Sequence, residues 1–383
     1  NVYDSYKDIL KIRFKDVNNS SSAIYQQLEA KFEKNIKEVK TLMGDQSTFF
    51  INLTHHFWNL LCGHAQSYSG LIANFAIKQK KGANKGFTTL GRKVMRLLLS
   101  RENGRRILID TKHMSALARK QFYDMWENEF AAQGDAFPII CSHAAVNGKG
   151  NFEDEVANFV SGKKKKDRDK DKKKYYFNRW SINLYDKDIE MIHKSKGLIG
   201  LILHEDRIPG DAPKKMIDKA LRELKKAEKK SGVGSKKHTQ IKEYIQFLYM
   251  QMLVANIFQI VKAVNQQTAW DIIGLGTDFD GIINSFECYD DFVALKKFPT
   301  ELLQYLNRIK AGDDRFAIVD KKAKDKPNFT ISELQRLMFG LSPQEIIDKI
   351  FHKNVEDFME RYYNDAYLKK QILPPPPPVL ADS

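Results

Sequence analysis

An α/β fold, a parallel sheet covered by helices, is what this sequence predicts, on three observations. From about residue 47 onward, short apolar β-rich runs alternate with segments of helical period. The runs are apolar throughout rather than alternating, as in strands buried on both faces. Histidines and an aspartate recur just past the ends of several runs, and in a parallel barrel those carboxyl ends converge on one functional face.

The strand candidates, in order, are residues 49–55 (FFINLTH), 106–110 (RILID), 138–142 (PIICS), 197–203 (GLIGLIL) and 272–277 (IIGLGT). Helical period marks residues 89–99, 116–130 and 241–264 between them. The last helix is expected over 342–363, with Ser342 as its cap, Pro343 at the first position and Glu345 completing a capping box. Residues 374–378 are all proline and form a stiff tail without a core. There is no internal repeat.

The formal charge of +15 would suggest an anionic partner if it covered one folded face. It is concentrated instead. Residues 163–174, KKKKDRDKDKKK, have no apolar residue and read as a solvated loop. Residues 214–237 space Met216, Ala220, Leu221 and Leu224 at helical intervals and read as an exposed amphipathic helix. Neither stretch interleaves aromatic residues as a single-strand binding surface does, so nucleic acid is not the expected partner. Cys62, Cys141 and Cys288 are far apart with no CxxC pair, which indicates neither a disulfide framework nor a thiolate metal site. No apolar run approaches the roughly 20 residues that cross a bilayer, so a soluble protein without a transmembrane segment is expected. Residue 1 is Asn rather than Met, which leaves open a preceding address and hence whether the compartment is cytoplasmic or exported.

At the strand ends, NLTHH supplies His55 and His56, ILIDTKHMS supplies His113, IICSHAA supplies His143 and GLGTDFDG supplies Asp278. One such histidine is usually a structural hydrogen-bonding residue. Several, each in the same place on its own strand beside an aspartate, favour a metal site, since neutral imidazole and carboxylate suit zinc.

The ordered set INLTHHFWN, GFTTLGRKVMRLLLSRENGRRILIDTKHMS, PIICSHAAVNG, INLYDKDIEMIHKSKGLIGLIL, GLGTDFDGI and LSPQEIIDKIFHKNVEDFMERYY resembles the membrane (renal) dipeptidase family over about residues 47–363. These are zinc peptidases of the amidohydrolase superfamily. The resemblance implies a (β/α)8 TIM barrel over residues 1–366, with a basic loop insertion at about 150–178, a helical insertion at about 210–240, and a proline-rich tail at 367–383. It implies hydrolysis of the peptide bond of dipeptides, with two Zn2+ ions bridging a hydroxide nucleophile and polarising the scissile carbonyl. Carried over residue by residue, His113 and His143 match two histidines of the metal centre. His55 matches the histidine that contacts substrate and donates to the developing oxyanion. Asp278 matches the proton shuttle, while Asp280 serves the turn. A dipeptide substrate and a homodimer are the expected partners.

The family also carries an H-x-D pair on its first strand and a bridging Glu, in an EGGH-like motif, on its third; neither is found at those places here. Only 48 residues precede the strand that begins at Phe49, too few for three β-α units. The first strands are therefore expected to be missing from this sequence. Glu29 lies at the family's spacing for the bridging carboxylate, and Arg179 is the nearest arginine to the stretch 183–188, where the family holds a substrate carboxylate. If the absent ligands are truly absent, the alternative is a catalytically impaired, dipeptidase-like binding protein lacking one metal site.

Overall fold

The structure is a computed structural model that describes residues 6–42, 47–67, 79–152, 175–279 and 284–369. Most of the basic loop, Asp280 and the proline tail lie outside the described residues. The principal elements are α1 (Tyr6–Lys11), α2 (Ala23–Thr41), β1 (Phe50–Asn52), α3 (Thr89–Leu99), β2 (Leu108–Asp110), α4 (Ala116–Met125), β3 (Ile140–Ala144), α5 (Asp186–Lys194), β4 (Leu198–Leu201), α6 (Asp211–Ser231), α7 (Lys236–Val264), β5 (Ile273–Leu275), α8 (Phe298–Lys310), α9 (Ile331–Leu337), α10 (Pro343–Asp348) and α11 (Asn354–Tyr362). A π-helical turn, Lys349–Lys353, joins α10 to α11.

Each strand expected from the sequence is present, four of them shorter by two to four residues and the third, β3, of the expected length but shifted two residues onward. All pair in parallel, in the chain order β1-β2-β3-β4-β5. The helix at 89–99 has the bounds its period predicts, capped by Thr88 Oγ1, which accepts from Gly91 N at 2.9 Å. Ser342 and Glu345 form the expected capping box. The helix at 116–130 changes character at Trp126, where the last five residues widen into a π turn.

A parallel α/β sheet is present, without a closed eight-stranded barrel among the described residues. The described residues contain five parallel strands, and among them no ladder joins β5 back to β1. Ahead of β1 the described residues include α2, which turns Tyr25, Leu28 and Ile36 into the core. The two sheet edges are occupied by the C-terminal helical run instead. Asn354 Nδ2 donates to Ile273 O of β5 at 2.7 Å, while Phe358 and Tyr363 stack on Phe49, next to β1, with ring centres 6.1 and 4.8 Å away. Covering an edge in this way hides backbone groups that would otherwise seek another strand.

Inside the sheet, β3, β4 and β5 approach so closely that a side chain is excluded at two points. A Cβ at Gly200 or Gly276 would lie 2.0 Å from Ser142 O. These are the glycines of GLIGLIL and IIGLGT. By length and composition α7 could cross a membrane, yet 67% of its apolar window is buried inside the protein. It is a core helix, and its Asn256 is used there, accepting from Val146 N at 2.9 Å.

One buried ion pair ties the layers together. Arg119 of α4 donates to Asp188 Oδ1 of α5 at 2.9 Å, to Met114 O at 2.8 Å and to Ser181 O at 3.0 Å. Tyr123 Oη donates to the same carboxylate at 2.7 Å, and both ionic side chains are essentially unexposed. Removing one member strands the other charge without water, which costs about 3–5 kcal/mol. Arg119→Met is therefore expected to lower unfolding stability in urea by roughly that amount, while the double change Arg119→Met with Asp188→Leu recovers most of it.

Candidate metal centre

Because the strands run parallel, their carboxyl ends share one edge of the sheet, and the chemistry-bearing residues collect there. His55 and His56 follow β1, Lys112 and His113 follow β2, His143 lies in β3, His204 follows β4 and Asp278 follows β5.

The ends of the first three strands are held by Asp110, a fully buried residue. Its Oδ2 accepts from Asn52 Nδ2 of β1 at 2.7 Å. Its Oδ1 accepts from the backbone of Lys112 at 2.9 Å and of Ser142 in β3 at 3.1 Å. At that point the β3 ladder carries one extra residue, since Cys141 pairs with Ile199 but Ala144 with Leu201. Such a bulge re-aims a side chain, and it falls on Ser142 and His143. His113 takes a left-handed backbone, φ 68°, and its carbonyl accepts from Ala65 N at 2.8 Å. Asp278 is left-handed too, φ 60°, a conformation that aspartate tolerates better than most residues and that clusters at functional sites.

The result is an imidazole cluster. Ring centres are 3.8 Å apart for His55 and His56, 4.3 Å for His55 and His113, 4.6 Å for His56 and His113, and 5.2 Å for His113 and His143. One ring nitrogen from each of His55, His56 and His113 lies within 4.8 Å of the other two. Ser67 Oγ sits 2.7 Å from His56 Nδ1, the kind of partner that fixes the ring of a ligating histidine. His143 stands beside the triplet, its Nδ1 2.9 Å from Ser142 Oγ and its Nε2 3.7 Å from Asp278 Oδ2.

Burial keeps these rings uncharged. It pushes His56 down to about 3, His143 to about 2 and His204 to about 4, and it lowers His55 and His113 as well. The Lys112 ammonium adds to the effect on all five. Burial raises the Asp278 carboxyl above its ordinary value, opposed by Lys112 and Arg207. At neutral pH the cluster therefore presents neutral imidazoles, the form that binds a metal ion.

The residues fit such an ion. Among the described residues neither ring nitrogen of His113, both buried, has a hydrogen-bond partner, and a buried polar atom left so costs free energy unless a ligand satisfies it. In a tetrahedral zinc site the nitrogens are about 3.3 Å apart, a modest contraction of the spacing found here. The donor set of the triplet is all imidazole, room for one ion.

Of the residues singled out in the sequence, the structure brings His55, His113, His143 and Asp278 together. Glu29 lies on α2 and pairs with Lys93 of α3 at 3.6 Å. Arg179 donates to Gly148 O at 3.0 Å and lies over the Tyr175 ring. Four others are added. His56, given no role above, belongs to the triplet. His204 stands where the other strand-end histidines do, in the stretch HED after β4, which is also the chain's one H-x-D pair. The strand-end pattern was a sufficient signal for it. Lys112 is next to His113, and the charge of Arg207 acts on His56, His204 and Asp278. No local signal marks either cation. A separate cleft of about 630 Å3, lined by Glu243, Phe247, Glu301, Tyr305, Arg308 and Phe316 among others, shares no residue with this edge.

No protein-family model matches the chain, and no curated protein does. Solved structures to which it is similar include the probable dipeptidase PvdM from Pseudomonas aeruginosa, 13% identical with a TM-score of 0.39, the match covering 85% of this chain and 64% of that one. Another is a metallo peptidase from Rhodobacter sphaeroides liganded with a phosphinate mimic of the dipeptide L-Ala-D-Ala, 13% identical with a TM-score of 0.35, covering 73% of this chain and 48% of that one. A third is an amidohydrolase from Pseudomonas aeruginosa, 14% identical with a TM-score of 0.37, covering 87% and 69%. The chain spans less than two thirds of the length of the first two.

The depressed imidazoles set the sign of a pH effect. The unfolded chain protonates His204 near pH 6.5, the folded site only near 4, so the stability this residue contributes is complete above 6.5 and is lost as pH falls through that window. Urea unfolding of the metal-free protein is expected to weaken steadily from pH 6.5 to 4. In His204→Gln the slope should be shallower by about 1 kcal/mol per pH unit.

Proposed function

We propose that this protein is a metal-dependent hydrolase that cleaves the peptide bond of dipeptides and uses zinc. The observation that carries the reading is the convergence of His55, His56 and His113 on one point, with His143 and Asp278 paired beside it. The ordered resemblance of the strand-end motifs to a zinc dipeptidase family supports the substrate class.

When bound, zinc supplies Lewis-acid polarisation of a carbonyl and lowers the pKa of water. His55, His56 and His113 would hold it. The Asp278 carboxylate, raised by burial and 3.7 Å from His143 Nε2, accepts a proton from the attacking water and returns it to the leaving amine. His143, kept neutral, orients that carboxylate. His55 is the most exposed of the three and marks the side from which substrate would enter. Arg207 supplies positive charge at the same edge, suited to an anionic substrate group.

The alternative is a binding protein of the same architecture with an impaired centre. The all-imidazole triplet favours it over a two-ion enzyme, because among the described residues no carboxylate joins the three donors.

Zinc-loaded protein is expected to release free amino acids from dipeptides, to stop on chelation and to recover on zinc addition. Asp278→Asn and His143→Ala should each lower kcat/KM by about 100-fold or more. Wild-type rates in Asp278→Asn would remove the proton-transfer role, and zinc binding without any turnover would establish the binding protein.

A further inference from the structure

The hairpin of α6 and α7 lies apart from the imidazole cluster. Residues 232–235 join the two helices, and Ile217, Ala220 and Ala227 of α6 are buried where the helices pack. The end of α7 leads to the start of β5, so α7 runs against the strands. Its Asn256 accepts at 2.9 Å from the backbone of Val146, just past β3, which sets that turn of α7 level with the strand ends. Residues 236–255 therefore reach about 30 Å beyond the edge that carries the imidazoles.

The tip of this projection carries unbalanced charge. Lys225, Lys226, Lys229, Lys230, Lys236 and Lys237 are all exposed. The ion pairs of the hairpin's lysines lie further back, Lys214 with Asp206 and Lys219 with Glu223, and among the described residues none of the six tip lysines forms one. Glu228 is the one acidic residue of 225–237, and it is tied inward. The buried His238 accepts from Gly234 N through Nδ1 and donates to Glu228 Oε1 through Nε2, each at 3.3 Å. Lys229 and Lys230 suit the negative end of α6. Lys236 and Lys237 do not suit their place, since the first turn of α7 disfavours positive charge and holds no acidic residue to offset it. At the apex, Val233 sits between two left-handed glycines, Gly232 at φ 80° and Gly234 at φ 86°, and is 80% exposed, more than any other large apolar residue described. Turns favour Gly, Asn, Asp and Ser, and a valine contributes nothing to the closure of this one.

We propose that this tip docks on an anionic lipid bilayer: the six ammonium groups meet negative head groups, and Val233 enters the apolar layer just beneath them. A cluster of roughly four to eight basic residues on a helix is what such head groups attract. A bilayer answers both the charge and the apolar apex. Nucleic acid answers only the charge, and residues 225–237 hold neither an arginine for bidentate recognition nor an aromatic ring for stacking on a base. Docked in this way, the strand edge with the imidazole cluster faces the bilayer. The surface shares no residue with that cluster and is independent of whether the cluster binds zinc.

The test is flotation of the whole protein with vesicles of phosphatidylcholine alone and of phosphatidylcholine mixed with phosphatidylserine, at low and high salt. The wild type is expected to float with the anionic vesicles only and to be released as salt rises. Lys225→Gln, Lys226→Gln, Lys229→Gln and Lys230→Gln combined should leave Tm unchanged and weaken binding about 100-fold or more, at roughly fivefold per lysine. Val233→Ser should weaken it about fivefold and leave its salt dependence intact. Absence of binding to the anionic vesicles, equal binding to both kinds, or wild-type binding by the fourfold lysine variant would each overturn the proposal. So would loss of binding on removal of residues 163–174 alone, which would place the contact on the other basic run. A duplex oligonucleotide that binds the wild type more tightly than the anionic vesicles do, and binds Val233→Ser equally well, would assign the tip to nucleic acid instead.

Discussion

The Asp110 carboxylate fixes the geometry on which the rest of the site depends. Three strands deliver His55 and His56, His113 and His143, and the chain has no reason to end those strands at a common level except this residue. Asp110 reaches sideways to Asn52 and Ser142 and back to the Lys112 amide. It takes the Ser142 amide out of the ladder, and the extra residue of the β3 bulge follows from that. Burial of the carboxylate raises its pKa, and the bonds it accepts counter the rise. The cost of a desolvated carboxylate is thus offset by donors that could not otherwise be satisfied at strand ends.

A second constraint is electrostatic. Imidazoles gathered at one buried edge lower one another's proton affinity, and the adjoining lysine and arginine lower it further. The edge stays neutral in its histidines and positive in its cations, which suits an anionic or polarisable ligand and a metal bound through nitrogen. The same arrangement costs stability. Among the described residues both ring nitrogens of His113 and the Lys112 amine nitrogen lack partners, as do buried atoms of Arg106, Tyr176 and Asn183 elsewhere, whereas Arg119 and Asn256 are well bonded.

Much of this was legible in the chain. The strands and the helix of residues 89–99 follow from apolar runs and helical period, and the capping box at Ser342 follows from its own four residues. His55, His113, His143 and Asp278 were legible as a set, because each repeats one placement at a strand end. His204 obeys the same rule. His56 was visible but indistinguishable from a wall residue, since adjacent residues on an extended chain ordinarily point apart. They converge here because the chain has left β1 and turned before it reaches them.

What the sequence by itself determined is the set of elements, their parallel sense and which residues stand at the strand ends, because these depend on local period and on chain order. Tertiary structure alone decided the covering of the sheet's edges by the C-terminal helix, the departure of Glu29 and Arg179 to other partners, and the burial of Lys112 next to His113. Those depend on which distant surfaces meet. A lysine reads the same in sequence whether its side chain lies in water or is buried, as that of Lys112 is; only the packing around it settles which.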